Sequence, residues 1–223
     1  MIPMIVVDLR GKLPVHKTKK YNTRKASDIR SLAIHHSLTF SGSAQAFATY
    51  HINTNGWPGI AYTYVIDKDG TINQCLDHTT VGYHVGNSNK HALGICLVGD
   101  FRNQKPTDAQ YKSALELVRW LQLQLPNAVE VKGHSQYPGY SWKACPVISM
   151  DQFRLDLNRS NKNGDDRMEL SNYQWNTLES NVNQLLNKKI ISDKSWLEKV
   201  QKRTITNSEL NWLNNVIAMR LLK

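Results

Sequence analysis

The sequence predicts an α/β fold: a central mixed β-sheet flanked by helices, followed by a small three-helix C-terminal domain. Three observations carry this reading. Short apolar runs such as Leu32-Ala33-Ile34 and Ile95-Cys96-Leu97-Val98 have the unbroken character of strands covered on both faces. They alternate with longer segments of helical periodicity, several opened by capping boxes, in the order β-α-β-β-β-α-β-α. A stretch without an apolar side chain, Asn158 to Asp166, then separates this part from three further helical patterns.

Taken in order, residues 1–28 read as an irregular lead-in with Pro3, Pro14 and many basic side chains. Arg30 to His35 is a buried strand that delivers polar groups at its end, His35-His36. Side chains alternate along a strand, so one of these two histidines faces a given site. Ala44, Phe47, Ala48 and His51 follow Ser41-Gly42-Ser43 at helical spacing, and Asn55-Gly56-Trp57-Pro58-Gly59 stops that helix. Tyr62 to Ile66, a turn at Asp67–Gly70 and a return strand at Thr71–Cys75 form a hairpin. Residues 80–92 are too polar and glycine-rich for a regular element, and Gly94 to Gly99 is a central strand with Cys96 in the core.

Thr107 and Gln110 cap a long helix whose face is Tyr111, Ala114, Leu115, Val118, Leu121 and Leu125, ended by Pro126. Val129–Val131 is a brief strand leading into His134. Ser149 to Gln152 opens a helix carrying Phe153, Leu155 and Leu157. Three strand ends therefore converge on His35, Tyr62 and His134. Beyond the linker, Ser171 caps a helix with Trp175, Leu178, Val182 and Leu185; Ser192 begins one with Trp196, Leu197 and Val200; Thr206 and Glu209 cap one with Leu210, Leu213 and Ile217. The expected organisation is a domain at 1–157, a linker at 158–166 and a helical domain at 167–223, which binds or self-associates rather than catalyses. Trp120, Trp175, Trp196 and Trp212 read as packing residues.

Composition narrows the classes. Of 223 residues, 40% are hydrophobic and 21% charged, an ordinary globular balance. No apolar run approaches the ~18 residues needed to span a bilayer. The apolar start at Ile2–Val7 precedes its basic cluster, the reverse of a secretory signal, so synthesis and retention in the cytoplasm are expected. Three cysteines, Cys75, Cys96 and Cys145, make a disulfide framework improbable and leave thiols for a metal or the core. The net charge is +10; from Arg10 to Arg30 eight Lys or Arg face one acid, Asp28. Such a patch suits a polyanion or a solvated surface. No basic-aromatic interleaving or helix-turn-helix pattern supports a nucleic-acid partner, and none is expected.

The chemistry concentrates in Gly133-His134-Ser135-Gln136-Tyr137-Pro138-Gly139-Tyr140-Ser141-Trp142-Lys143-Ala144-Cys145-Pro146. Zinc takes imidazole nitrogen and thiolate sulfur, and a catalytic site uses three such ligands with one position open. His134 and Cys145 can supply two; the pair His35-His36 is the place to look for the third.

Four ordered motifs carry a resemblance. Ile34-His35-His36-Ser37, Gly59-Ile60-Ala61-Tyr62 with Asp69-Gly70-Thr71, Leu93 to Phe101, and Gly133-His134 with Lys143-Ala144-Cys145-Pro146 are similar to the zinc N-acetylmuramoyl-L-alanine amidases related to peptidoglycan recognition proteins. The pattern is nearest to the lysozyme-amidases of T-odd phages and the endolysins of Bacillus phages, and spans about residues 28–157. It implies one zinc on His35, His134 and Cys145, with Tyr62 and Lys143 catalytic. It also implies a substrate groove near His84, Asn87 and Trp57, with Tyr137 beside it. The implied activity is hydrolysis of the amide between N-acetylmuramic acid and L-alanine of bacterial peptidoglycan, after holin-type release from the host cytoplasm. Cys96 stands where several of these amidases carry a glutamate, which leaves its role to Tyr62, Lys143 or the metal. His36 is a candidate donor to the leaving amine, or a packing residue.

Overall fold

Strands Val6–Asp8 (β1), Ser31–His36 (β2), Tyr64–Ile66 (β3), Ile72–Gln74 (β4), Ala92–Leu97 (β5) and Glu130–Gly133 (β6) build one mixed sheet in the computed structural model, which describes residues 6–125, 127–159, 168, 170 and 172–221. Their order across the sheet is β1-β4-β3-β5-β2-β6. The hairpin β3–β4 is antiparallel, and every other pairing is parallel. β2 and β5 are buried at all six of their positions, which is why both read as continuous apolar runs rather than alternating ones.

Two apolar layers cover the sheet. On one face Leu32, Ile34, Ile66 and Ile95 pack against Ala114, Leu117, Val118 and Leu121 of the helix Asp108–Gln124 (α2) and Phe153 and Leu157 of the helix Met150–Arg159 (α3). On the other, Val65, Cys96 and Val98 pack with Ala44, Phe47 and Ala48 of the helix Ala44–Asn53 (α1). Each large side chain buried in these layers contributes about 1.5–3 kcal/mol. The capping box of α2 forms as its sequence predicts, Thr107 and Gln110 each accepting the other's backbone amide at 3.1 and 3.3 Å. Gln110 also donates to the carbonyls of Ile66 and Val98 at 3.1 and 2.9 Å, so one side chain caps the helix and ties it to two strand ends. Pro126, the expected end of that helix, lies outside the described residues.

Within the first 159 residues the elements depart from the sequence reading at the lead-in, the 80–92 segment, the linker start and Leu155. The lead-in is not wholly irregular, because β1 pairs with β4 and several of its basic side chains bond within the protein: Arg10 to Asp8 and Asp77, Lys12 to the Asp8 carbonyl, and Arg24 to four carbonyls. The 80–92 segment contains a 3₁₀ helix, Gly86–His91, because Asn89 folds back to accept the amides of His84 and Val85 at 2.9 and 2.7 Å. α3 continues through Asn158 to Arg159, so the expected linker begins inside a helix, and its remainder lies outside the described residues. Leu155 of α3 is half exposed, since it points away from the face that carries Phe153 and Leu157.

The chain divides into two compact units, Met4–Arg159 and a unit containing Ser160–Lys223. In the second, helices Asn172–Asn187 (α4), Ser195–Gln201 (α5) and Asn207–Leu221 (α6) surround Trp175, Val182, Ile191, Val200, Ile205 and Leu213. The Thr206–Glu209 box caps α6, with reciprocal bonds of 3.2 and 3.1 Å. α5 starts at Ser195 rather than Ser192, Asp193 accepting the Ser195 amide at 2.9 Å. Ser171, the expected cap of α4, lies outside the described residues. Trp175 is buried as expected, whereas Trp212 is 58% exposed and stacks on Trp196 at 5.5 Å.

Candidate metal centre

Parallel pairing of β2 with β6 puts Ile34 level with Gly133, so His35 of β2 and His134, just past the end of β6, come together at the same end of the sheet. Ligand sites in α/β sheets form outside such carboxyl ends. The third contributor arrives on the loop after β6, where the Ser135 amide donates to the Cys145 carbonyl at 2.9 Å and folds the loop back beside His134. Gly133 permits this approach: a Cβ there would lie 2.6 Å from Cδ of Pro146. The result is a buried group, His35, His134 and Cys145, whose ligand atoms all lie within 4.8 Å of one another. Sγ of Cys145 is 3.8 Å from Nδ1 of His35.

Burial dominates the electrostatics. It holds His35 well below the usual imidazole range, reinforced by His84, His134 and His36, and pulls His134 down to about 4 with help from Lys143. Both rings are therefore neutral, the form that ligates a cation. Burial pushes the Cys145 thiol up to about 11, against a backbone hydrogen bond from His36 and the charge of Lys143. A donor set of two imidazoles and one sulfur, with Nε2 of His134 buried and without a hydrogen-bond partner, fits a borderline-soft ion such as zinc.

A cavity of about 290 Å³ opens over this group, lined also by Tyr62 and Lys143. The Tyr62 ring lies 5.2 Å from that of His35. Burial, then Cys96 and Cys145, raises its hydroxyl well above the usual tyrosine range, so it carries its proton. Nζ of Lys143 sits 4.8 Å over the Trp142 ring and 5.8 Å from that of Tyr140. Cys96 is fully buried in β5 beneath these groups, and burial raises its thiol strongly, so it offers no base in place of a glutamate. His36, the next residue along β2, accepts the Phe101 amide on Nδ1 at 3.0 Å and also borders the cavity.

The residues expected in the substrate groove are not gathered with the others. Asn87 is exposed on the 3₁₀ helix, and Trp57 packs between His51 and Tyr83 at 5.2 and 5.8 Å; neither lines the cavity. His84 is buried and faces His35 from the side away from the cavity, Nδ1 to Nε2 at 3.1 Å, so as placed it does not reach a ligand there. Tyr137 is also buried, donating to Ser31 at 2.9 Å, and does not line the cavity. Three side chains to which the sequence reading gave no role do line the cavity, Trp142, 77% exposed, Leu38 and Arg102. The signal for Trp142 was its place next to Lys143.

Arg24 is a further omission. Its buried guanidinium donates to the carbonyls of His78, Asn89 and Ala92 at 2.8, 2.8 and 2.6 Å and so fixes the segment that carries His84. Arg24→Ala leaves those acceptors unpaired, and we expect a loss of roughly 3 kcal/mol of stability, read by thermal or urea unfolding.

Residues 25–147 match the profile of the N-acetylmuramoyl-L-alanine amidases. The chain belongs to the N-acetylmuramoyl-L-alanine amidase family. Among curated relatives of this chain, the endolysin of Klebsiella phage KP32 is 32% identical over 103 residues, 44% of this chain and 66% of that protein. The endolysin of Escherichia phage T7 is 30% identical over 103 residues with the same coverage. The chain thus spans just under two thirds of these relatives' length. Among solved structures, the N-acetylmuramoyl-L-alanine amidase LysC from Clostridium intestinale is 25% identical with a TM-score of 0.55, covering 69% of this chain and 97% of LysC. The α/β amidase fold expected from the sequence is the fold found.

Proposed function

We propose that the unit Met4–Arg159 is a zinc-dependent peptidoglycan hydrolase that cleaves the amide between N-acetylmuramic acid and L-alanine. One observation carries the reading: the buried His35, His134 and Cys145 group opens onto a cavity shared with Tyr62 and Lys143. Family membership and the phage endolysin relatives support the reaction class.

His35, His134 and Cys145 would hold the ion. When bound there, zinc supplies Lewis acidity toward the scissile carbonyl and toward water. The Lys143 ammonium carries three N–H donors and a full charge, which suits it to the oxygen that becomes negative as the carbonyl is attacked. The Tyr62 hydroxyl, kept protonated by its burial, orients water or substrate by donating and accepting hydrogen bonds. Aromatic packing of Lys143 on Trp142 and Tyr140 restricts where that charge can go. The test is a mass spectrum of digested cell walls. New free amino termini of alanine are the expected products; new reducing sugar ends, or no release, would reject the reading.

The second unit is proposed to bind the cell wall. Its separate core and its charge, ten Lys or Arg against seven acids from Ser160 onward, support that role. Targeting raises the effective concentration of the site at the wall. A chain ending at Arg159 is therefore expected to bind zinc and cut soluble muropeptides at near the full-length rate, yet clear intact walls more slowly. Self-association through these helices is the competing role. If the isolated helices fail to sediment with walls and elute as a dimer, that role replaces targeting.

A further inference from the structure

The metal reading leaves one buried side chain at the centre without a task. His84 is 7% exposed, does not line the cavity, and touches one candidate ligand, its Nδ1 lying 3.1 Å from Nε2 of His35. The other nitrogen of His35, Nδ1, faces Cys145 at 3.8 Å and is therefore the one directed at the ion. A neutral imidazole carries one proton. If Nδ1 gives its lone pair to a metal, the proton is on Nε2, and the 3.1 Å contact runs from His35 to His84 with Nδ1 of His84 as acceptor.

The fold holds this acceptor in place. The His84 ring lies against Gly94 of β5, where a Cβ would come within 2.8 Å of it. Asn89 accepts the backbone amides of His84 and Val85 at 2.9 and 2.7 Å, and Arg24 anchors the carbonyls of Asn89 and Ala92 at 2.8 and 2.6 Å. A missing Cβ, an asparagine turn and a buried arginine, from three parts of the chain, converge on the orientation of one imidazole.

We infer that His84 is a positioning residue for the metal centre: by accepting the Nε2 proton of His35 it fixes that ligand's tautomer and ring angle, so that zinc affinity depends on a side chain that never touches the ion. Partners of this kind to ligating histidines are commonly carboxylates, carbonyls or water, and their loss typically weakens metal binding about 10–100-fold. Here the acceptor is a second imidazole.

The inference rests on the zinc reading, and the experiment separates the two. Zinc dissociation constants are measured by chelator competition on the full chain and on His84→Leu and His84→Asn, with circular dichroism to report the fold. Leucine fills the site without an acceptor, while the Asn side-chain oxygen falls near the position of Nδ1. A weakening of about 10–100-fold in His84→Leu, largely restored in His84→Asn, is the expected result. Unchanged affinity in His84→Leu, or equal weakening in both variants, overturns the inference and leaves the metal centre standing. Failure of the unsubstituted chain to bind zinc overturns both. Should His84→Leu not fold, long-range ¹⁵N–¹H spectra of the zinc-loaded natural chain decide the matter. Protons on Nε2 of both His35 and His84 are expected, and a proton on Nδ1 of His84 overturns the assignment.

Discussion

Cys145→Ser and His134→Ala are each expected to lose zinc and hydrolysis together. Three ligands from two strand ends and one loop leave no reserve: removing one leaves two groups to compete with water for the ion. Serine is the sharper probe, because it keeps the size of the side chain and exchanges a sulfur that zinc prefers for a hydroxyl that stays protonated. Metal content after gel filtration, read by elemental mass spectrometry beside turnover of muropeptides, checks the result. Hydrolysis at the natural rate by metal-free protein would contradict it. The neighbouring His36→Ala is expected to be far milder, since that ring borders the cavity but is not one of the three grouped ligands, its Nδ1 being taken by the Phe101 amide. An inverted order, with His36→Ala worse than His35→Ala, would move the ligand by one residue.

Lys143→Ala is expected to keep its zinc and its fold while losing on the order of 10²–10³-fold in turnover, the range for a single oxyanion donor. The separation of effects follows from geometry. Lys143 lines the cavity and rests on Trp142, whereas the ligand atoms of His35, His134 and Cys145 lie beneath it in the buried part of the site. Rate and metal content measured on one preparation decide between roles. Loss of zinc in this variant would make Lys143 a structural support of the Cys145 loop.

The layered fold was legible because it rests on local signals. Continuous apolar runs mark strands covered on both faces, and the Thr107–Gln110 and Thr206–Glu209 boxes mark helix starts within four residues. The metal group was legible through the four ordered motifs and the resemblance they carry; a histidine and a cysteine eleven positions apart are weak evidence alone, because a loop histidine and a buried thiol have the same pattern. What escaped were bonds across long separations. Arg24 reads as one more basic residue in an irregular lead-in; its work is done on carbonyls 54 to 68 positions later, which no local pattern reveals. His84 sits in a polar loop and reads as a groove residue, but Gly94 makes room for it under the sheet edge. Tyr137 follows the same rule: its hydroxyl finds Ser31, 106 residues away, and the ring is buried. Trp142 remains exposed beside the cavity although aromatic character argues for the core.

We propose one zinc on two imidazoles and one thiolate at this end of the sheet. X-ray absorption at the zinc edge of the loaded full-length chain tests it most directly. One ion per chain is expected, with one sulfur and two imidazole nitrogens among its neighbours, and the sulfur signal is expected to be lost in Cys145→Ser. A shell without sulfur, or one with two or more sulfurs drawn from Cys75 and Cys96, would contradict it.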